Sequence, residues 1–491
     1  MKKFVCMVLC TVFVLGCFVF TGCVKNPDDT TGESTADGGD TEDTVTEEDT
    51  DINDGLPEVR YDGQSFRVLT QETAHVNDIY CEDHDTGNSI HDAVRARNID
   101  IEERFGIDLM VEVDNFGSVN SKIDRMVKSG SDEFDLCFVH MVTGASRAID
   151  NDFVPFEKLP YVDLSKPWWD RQIRNGFSIG SNLMMANGDI SPTSFNITSC
   201  LYFNKTLFDR YDMEYPYELV RQGKWTLDKL YELTKDMTID GDGDGVLDPK
   251  SQRDTYCMST WFYDVPYSLY YGSGGMLVSK DENDMPYYDP NIERDSAIYQ
   301  KIYNIIINNN AYFETNLSEF SNVAKVFFDG RALFYDAKLE SSEDLREMDN
   351  EYGILPIPKF SELQNDYYSF VNGATSMVCV PVTCKDLERA SVVIEALASG
   401  AYKTITPVLY ETYLKRKVTR DADSADMIEY IVRNRVFDMG YVNLFDGIGS
   451  FVREMLTAKK TDVSYTFQKY KRKSQSDMEK LVESYKKSAS S

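Results

Sequence analysis

Between residues 65 and 140 the apolar residues switch repeatedly between a period of two and a helical period, and this alternation restricts the folds open to the chain more than any other feature. Residues 65–70 alternate as a strand. Residues 89–105 carry helical spacing with Asp92, Arg95 and Glu102 outward, and 107–113 alternate again. Residues 119–128 return to helical spacing, and 134–140 form a short apolar run of the kind found in a strand buried on both faces. Strand, helix, strand, helix, strand needs crossover connections, which implies a parallel sheet with helices packed on it.

The rest of the chain continues the mixture. Helical patterns recur at 226–235, 297–308 and 389–399, the last placing Ala390, Val393, Ile394 and Leu397 on one face. Short strands are expected at 199–203, 332–335, 353–356 and 375–380. The fold class is α/β, without a visible internal repeat.

The N-terminus has the layout of an export signal. Lys2 and Lys3 precede an uncharged apolar run at 4–20, and Thr21 and Gly22 lead into Cys23. No later segment reaches about 18 uncharged apolar residues in a row, so no membrane span is expected beyond it. After Cys23, acidic residues crowd among Thr, Gly and Ser, and no aromatic residue occurs between Val24 and Arg60. Such a stretch cannot bury enough apolar surface to offset its ordering entropy and reads as an extended tether over 23–60.

What remains is about 430 residues, more than one hydrophobic core usually organises, and two lobes are expected. The formal net charge of −31 argues against nucleic acid and against adsorption to an anionic membrane face, since both need clustered Lys and Arg. A neutral ligand fits best and a cationic one next. The 30 tyrosines suit either a large core or a sugar-binding cleft. Cys81, Cys137, Cys200, Cys257, Cys379 and Cys384 read as mostly free, buried thiols, with a Cys379 to Cys384 bridge left open.

Several segments in fixed order resemble the family 1 extracellular solute-binding proteins of ABC importers. They are Gly-Asn-Ser-Ile-His-Asp-Ala-Val-Arg-Ala-Arg-Asn-Ile-Asp-Ile-Glu-Glu-Arg-Phe-Gly at 87–106, Leu-Tyr-Phe-Asn-Lys-Thr-Leu-Phe at 201–208 and Gly-Lys-Trp-Thr-Leu-Asp-Lys-Leu at 223–230. Phe-Phe-Asp-Gly-Arg-Ala-Leu-Phe at 327–334 and Tyr-Gly-Ile-Leu-Pro-Ile-Pro-Lys at 352–359 continue the set. Thr21-Gly22-Cys23 resembles the lipobox of bacterial lipoproteins, with Phe20 where Leu is usual. The resemblance implies a two-lobed periplasmic-binding-protein-like fold of type II, with the ligand in the cleft. It places the first lobe at 62–196 and 371–440 and the second at 197–370 and 441–491. It also implies a lipid on Cys23, a permease partner and an anchored position outside the cytoplasmic membrane.

In such a cleft an aromatic ring packs on the apolar face of a sugar while carboxylates and amides meet its hydroxyls. Trp168, Trp169 and Trp261 are candidates for that role or for core packing, whereas Trp225 looks structural. Strand-end loops add Gln71, Glu72, His140, Asp189, Tyr335, Asp336, Asn372 and Gly373, each weighed against an ordinary solvated loop residue. His75, His84 and His91 near Cys81 and Asp83 are a weak metal pattern with irregular spacing.

Asp240, Asp242, Asp244 and Asp248, with the backbone carbonyl of Val246 and a sharp turn at Gly245, follow the spacing of a calcium loop. Ser251 stands where a bidentate Glu would close it, so the segment reads either as a low-affinity structural calcium site or as a solvated acidic turn. No cofactor is required. No nucleophile elbow, phosphate loop or dinucleotide fingerprint has supporting context. The expected function is therefore capture of a sugar or oligosaccharide, with a surface glycoside hydrolase or an adhesion lipoprotein as alternatives.

Overall fold

The computed structural model describes residues 52–490 apart from 73, 83, 413–421 and 445–446. Cys23, the apolar leader and most of the acidic tether lie outside the described residues.

The chain begins with β1 (Gln64–Gln71), β2 (Ile107–Asp114), β3 (Leu136–His140) and β4 (Phe153–Val154). It continues through β5 (Ser199–Asn204), β6 (Tyr256–Trp261), the hairpin β7 (Val278–Lys280) and β8 (Pro286–Tyr288), and β9 (Tyr312–Glu314). Then come β10 (Ala332–Lys338), β11 (Tyr352–Leu355), β12 (Ser369–Phe370), β13 (Ser376–Pro381) and β14 (Arg435–Val436). The first lobe is built on a sheet of order β2-β1-β3-β13-β4, the second on β11-β5-β10-β6-β9.

The opening elements form where the periodicity places them. The helix Ser89–Phe105 starts at Asn88, whose side chain accepts from the N–H groups of Ile90 and His91, and it stops at Gly106 in the left-handed region at φ 60°. β1 pairs in parallel with both β2 and β3. The expected parallel sheet is formed by these three strands, and it is extended by β13, antiparallel to β3, and by β4, antiparallel to β13. The cause is topological, because β13 enters this sheet on its return from the second lobe and not through a local crossover.

The last part of the expected tether is also corrected. Leu56 is buried, Asp54 pairs with Arg104, and the Tyr61 N–H donates to the Phe105 carbonyl at 2.8 Å, so 54–60 packs on the helix Ser89–Phe105. Ile52 and Val59 pack with Leu56 against the core, and Arg60 donates to the Glu103 carbonyl at 2.9 Å, so the tether ends early.

Three segments cross between the lobes and are bonded to one another. Thr198 pairs with Val371, the Asn372 N–H donates to the Ile197 carbonyl at 3.3 Å, and β12 pairs in parallel with β14. All six described cysteines are free, five buried and Cys81 half-buried, and no bridge joins Cys379 to Cys384.

Candidate functional site

The crossing segment 371–375 is the point on which side chains from both lobes converge. From the first lobe, His140 at the end of β3 stacks with His75 at a ring separation of 6.0 Å, and His75 bonds to the Ala374 carbonyl through Nε2 and to Gln71. Phe116, just beyond β2, meets His140 edge-on at 5.1 Å and is 45% exposed. Burial lowers the pKa of His75 to about 4 and that of His140 to about 3, so both rings are neutral at physiological pH. His140 also accepts from the Val142 N–H through Nδ1 at 3.2 Å, which starts the helix Met141–Ile149.

From the second lobe, Asn372 donates through Nδ2 to Asp264 at 2.7 Å, and Asp264 lies 3.7 Å from Lys338 at the end of β10. Burial works against the charge on Lys338, but Asp264 and Glu340 outweigh it and hold its pKa above the ordinary lysine range. Beside them, Tyr263 is 39% exposed and carries the Arg453 guanidinium 4.9 Å above its ring. Trp261 and the half-exposed Phe320 pack edge to face at 4.8 Å behind it.

Gly373 is packed so tightly that a Cβ there would meet the Tyr441 hydroxyl and Val142 Cγ2, both at 2.6 Å. Only glycine lets the crossing strand pass between these two side chains. The result is a floor of backbone and amide, flanked by neutral aromatic and imidazole rings on one side and by an aromatic and charged group on the other. Such a surface can stack a flat apolar face and hydrogen-bond hydroxyls.

The sequence-derived candidates divide. Asn372, Gly373 and His140 meet at the crossing segment. Glu72 is exposed at the end of β1, its N–H donating to the Asp114 carbonyl at 2.9 Å. Trp261 stands at the end of β6 but is only 7% exposed and reaches the surface through Tyr263 and Phe320.

Trp168 and Trp169 are core residues, not cleft rings: they are 0% and 3% exposed, and both indole N–H groups donate to Glu395 at 2.9 Å. Tyr335 is likewise corrected. It is buried against Tyr202 and Phe327 in the second lobe, and Asp336 is buried with the Ser268 hydroxyl donating to it. Asp189 lies near Arg435 and Thr406, with burial raising its pKa to about 7 and Arg435 opposing that shift. Trp225 is structural as expected, donating to the Pro356 carbonyl at 2.8 Å.

Phe116, Tyr263, Asp264, Lys338 and Arg453 were not singled out from the sequence. The run Trp-Phe-Tyr-Asp at 261–264, aromatic residues ending a strand, was the available signal for two of them.

In the acidic loop, the carboxylates of Asp240, Asp242 and Asp244 come within 4.8 Å of one another. An all-oxygen donor set of this kind suits a hard divalent cation. Asp240 accepts from the N–H groups of Gly243 and Gly245 at 2.7 and 2.8 Å, which lowers its pKa. The Ser251 hydroxyl donates to Asp242 at 2.9 Å in place of a closing carboxylate. Among the described residues, His75, His84 and His91 form no such group, because His75 turns inward to Gln71.

The chain has the two-lobed fold of ABC-transporter solute-binding proteins. A cyclo/maltodextrin-binding protein complexed with maltotetraose superposes with a TM-score of 0.53 at 13% identity, covering 87% of this chain and 97% of that one. The GacH receptor of Streptomyces glaucescens, solved unliganded and with acarbose, gives 0.51 at 15% identity over 87% and 98%. UspC of M. tuberculosis gives 0.52 at 12% identity over 85% and 100%. No family model matches the sequence, and no curated protein matches it either.

Proposed function

We propose that the protein is the substrate-binding subunit of an ABC importer, taking a sugar or oligosaccharide between its lobes and passing it to a membrane permease. The observation that carries this reading is the convergence of Phe116, His140 and His75 from one lobe and Tyr263, Asp264 and Lys338 from the other on a single crossing segment. A ligand touching both sets at once stabilises the closed arrangement over the open one. Structural neighbours hold maltotetraose, acarbose, ribitol or tagatose, which favours a hydroxyl-rich solute.

Thermal unfolding of the chain without residues 1–23, against mono- and oligosaccharides, polyols, amino acids and polyamines, tests the proposal. A ligand that binds only the folded state raises the midpoint with its concentration. Phe116→Ala and Tyr263→Ala should each reduce that shift without lowering the ligand-free midpoint. Silence across the sugars and polyols would sink the reading.

The anchor is part of the same proposal. Lys2, Lys3, the apolar run and Cys23 support a diacylglyceryl group on Cys23 and a position on the outer face of the cytoplasmic membrane. Labelled palmitate should enter the wild-type chain and not Cys23→Ser.

A further inference from the structure

The hairpin β7–β8 belongs in sequence to the stretch between the first two crossings, which builds the second lobe, yet its turn is bonded to the first. The Gly180 N–H donates to the Asp284 carbonyl at 3.0 Å, and the Ser181 N–H donates to Asp284 Oδ2 at 3.0 Å. Lys280 Nζ reaches Asp284 Oδ1 at 2.9 Å and Ser178 Oγ at 3.1 Å. Both ends of this contact are shaped for it. Ser181 and Asp284 each adopt a left-handed backbone, at φ 68° and 59°, without being glycine. Asp281 holds the turn by accepting from the N–H groups of Asn283 and Met285, each at 2.9 Å.

Each side is rooted in its own lobe. On the first, the Leu183 N–H donates to Glu157 and Ala186 pairs with Val378 of β13, which ties 178–186 to the sheet. On the second, the helix Ile292–Tyr303 follows the hairpin directly and packs on the helix Val265–Gly272, while the helix Val463–Ser490 lies along β8. That last helix makes a further tie, the Ser484 hydroxyl donating to the Ile149 carbonyl. The crossings themselves are short, a two-residue ladder between β12 and β14, a bridge from Thr198 to Val371 and the Asn372 N–H bond to the Ile197 carbonyl, with the Tyr271 hydroxyl and the Leu277 N–H donating to Asp438 just beyond β14. Rotation about them must therefore break or drag the bonds at Asp284.

We propose that the hairpin 278–288 is a strap across the two lobes that limits the range of angles they explore. This holds whichever solute the cleft takes, and it is tested without one. Spin labels at Arg125→Cys on the first lobe and Arg210→Cys on the second, in a chain carrying Cys81→Ser, report the interlobe distance by pulsed electron resonance. Asp284→Ala removes the carboxylate that accepts from the Ser181 N–H and holds Lys280, and Lys280→Met removes the bond to Ser178 from the opposite strand. Both should broaden the distance distribution and add a population absent from the parent chain. Glu282→Ala, at an exposed position in the same turn, should leave the distribution unchanged. The strap is overturned if the distribution stays as narrow in Asp284→Ala and Lys280→Met as in the parent. It is equally overturned if Glu282→Ala broadens it to the same extent.

Discussion

The side-chain amide of Asn372, on the second crossing segment, donates to the carboxylate of Asp264 in the second lobe at 2.7 Å, while its own oxygen accepts from the Ala374 N–H at 2.9 Å. One residue thus fixes the crossing strand to itself and to the wall of the cleft. Asn372→Asp keeps the shape and sets two carboxylates against each other, so one must take a proton or the contact must open. The expected loss is about 1–3 kcal/mol of stability at pH 8. Urea unfolding of the two chains checks the loss.

Glu395 anchors the first lobe in a comparable way, through two adjacent indoles. It is fully buried on the helix Leu387–Tyr410 and receives Trp168 and Trp169. Glu395→Ala leaves two buried donors without partners at about 1–3 kcal/mol each, so a total loss of about 2–6 kcal/mol is expected. Glu395→Gln still accepts from one indole and should lose roughly half as much. Equal losses in the two variants, measured by chemical denaturation, would show that the cost is a cavity and not the hydrogen bonds.

These tryptophans also show what local pattern can and cannot reveal. The strands and helices up to residue 140 are legible because apolar spacing changes period from one to the next, β3 being a short apolar run buried on both faces, and the helix Ser89–Phe105 carries its cap and its stop on either side. Nothing near Trp168 announces a core position, because its partner Glu395 lies 227 residues further on. Tyr335 fails for a related reason: it ends a predicted strand, but β10 runs on to Lys338, so the residue at the cleft is Lys338 and Tyr335 sits mid-strand in the core. Asn372 and Gly373 were legible because a crossing segment just before a strand lies at a strand end in any such fold. Phe116 and Asp264 become recognisable only when both lobes are seen around that segment.

Stability should rise on mild acidification. Burial raises the carboxyl pKa to about 7 in Glu395, Asp295 and Asp189 and to about 6 in Asp78 and Asp438. Between the unfolded value near 4 and these folded values the native state binds more protons, so stability is full below about 4 and is lost as pH rises through about 7. His75 and His140 oppose this, since their lowered pKa values contribute stability above about 6.5 that is lost as pH falls toward 4 and 3. From pH 8 to about 6.5 the carboxyl groups act alone, each adding at most about 1.4 kcal/mol per pH unit. The unfolding midpoint should climb over that interval and climb less steeply below it, where two imidazoles oppose five carboxyl groups. Glu395→Gln should reduce the slope, and a midpoint that falls from pH 8 to 6.5 would contradict the assignment of these groups.

The acidic loop gives the last test. Asp240, Asp242 and Asp244 converge within 4.8 Å, but Ser251 cannot supply the two oxygens of a closing carboxylate. A cation here would meet fewer charged donors than a full loop offers, and half-saturation with calcium is expected at about 1 mM or above. Magnesium should compete poorly, since its strict octahedral shell does not match three carboxylates on a bent loop. Ser251→Glu should tighten calcium binding, because it restores the bidentate donor at the position where the loop lacks one. Asp240→Asn should weaken it, and because the side-chain oxygen that remains in this variant still accepts from Gly243 or Gly245, the loop itself should persist. Calorimetric titration of the three chains distinguishes the outcomes: tightening in Ser251→Glu with weakening in Asp240→Asn marks a cation loop, whereas heat indistinguishable from buffer in all three marks a solvated turn.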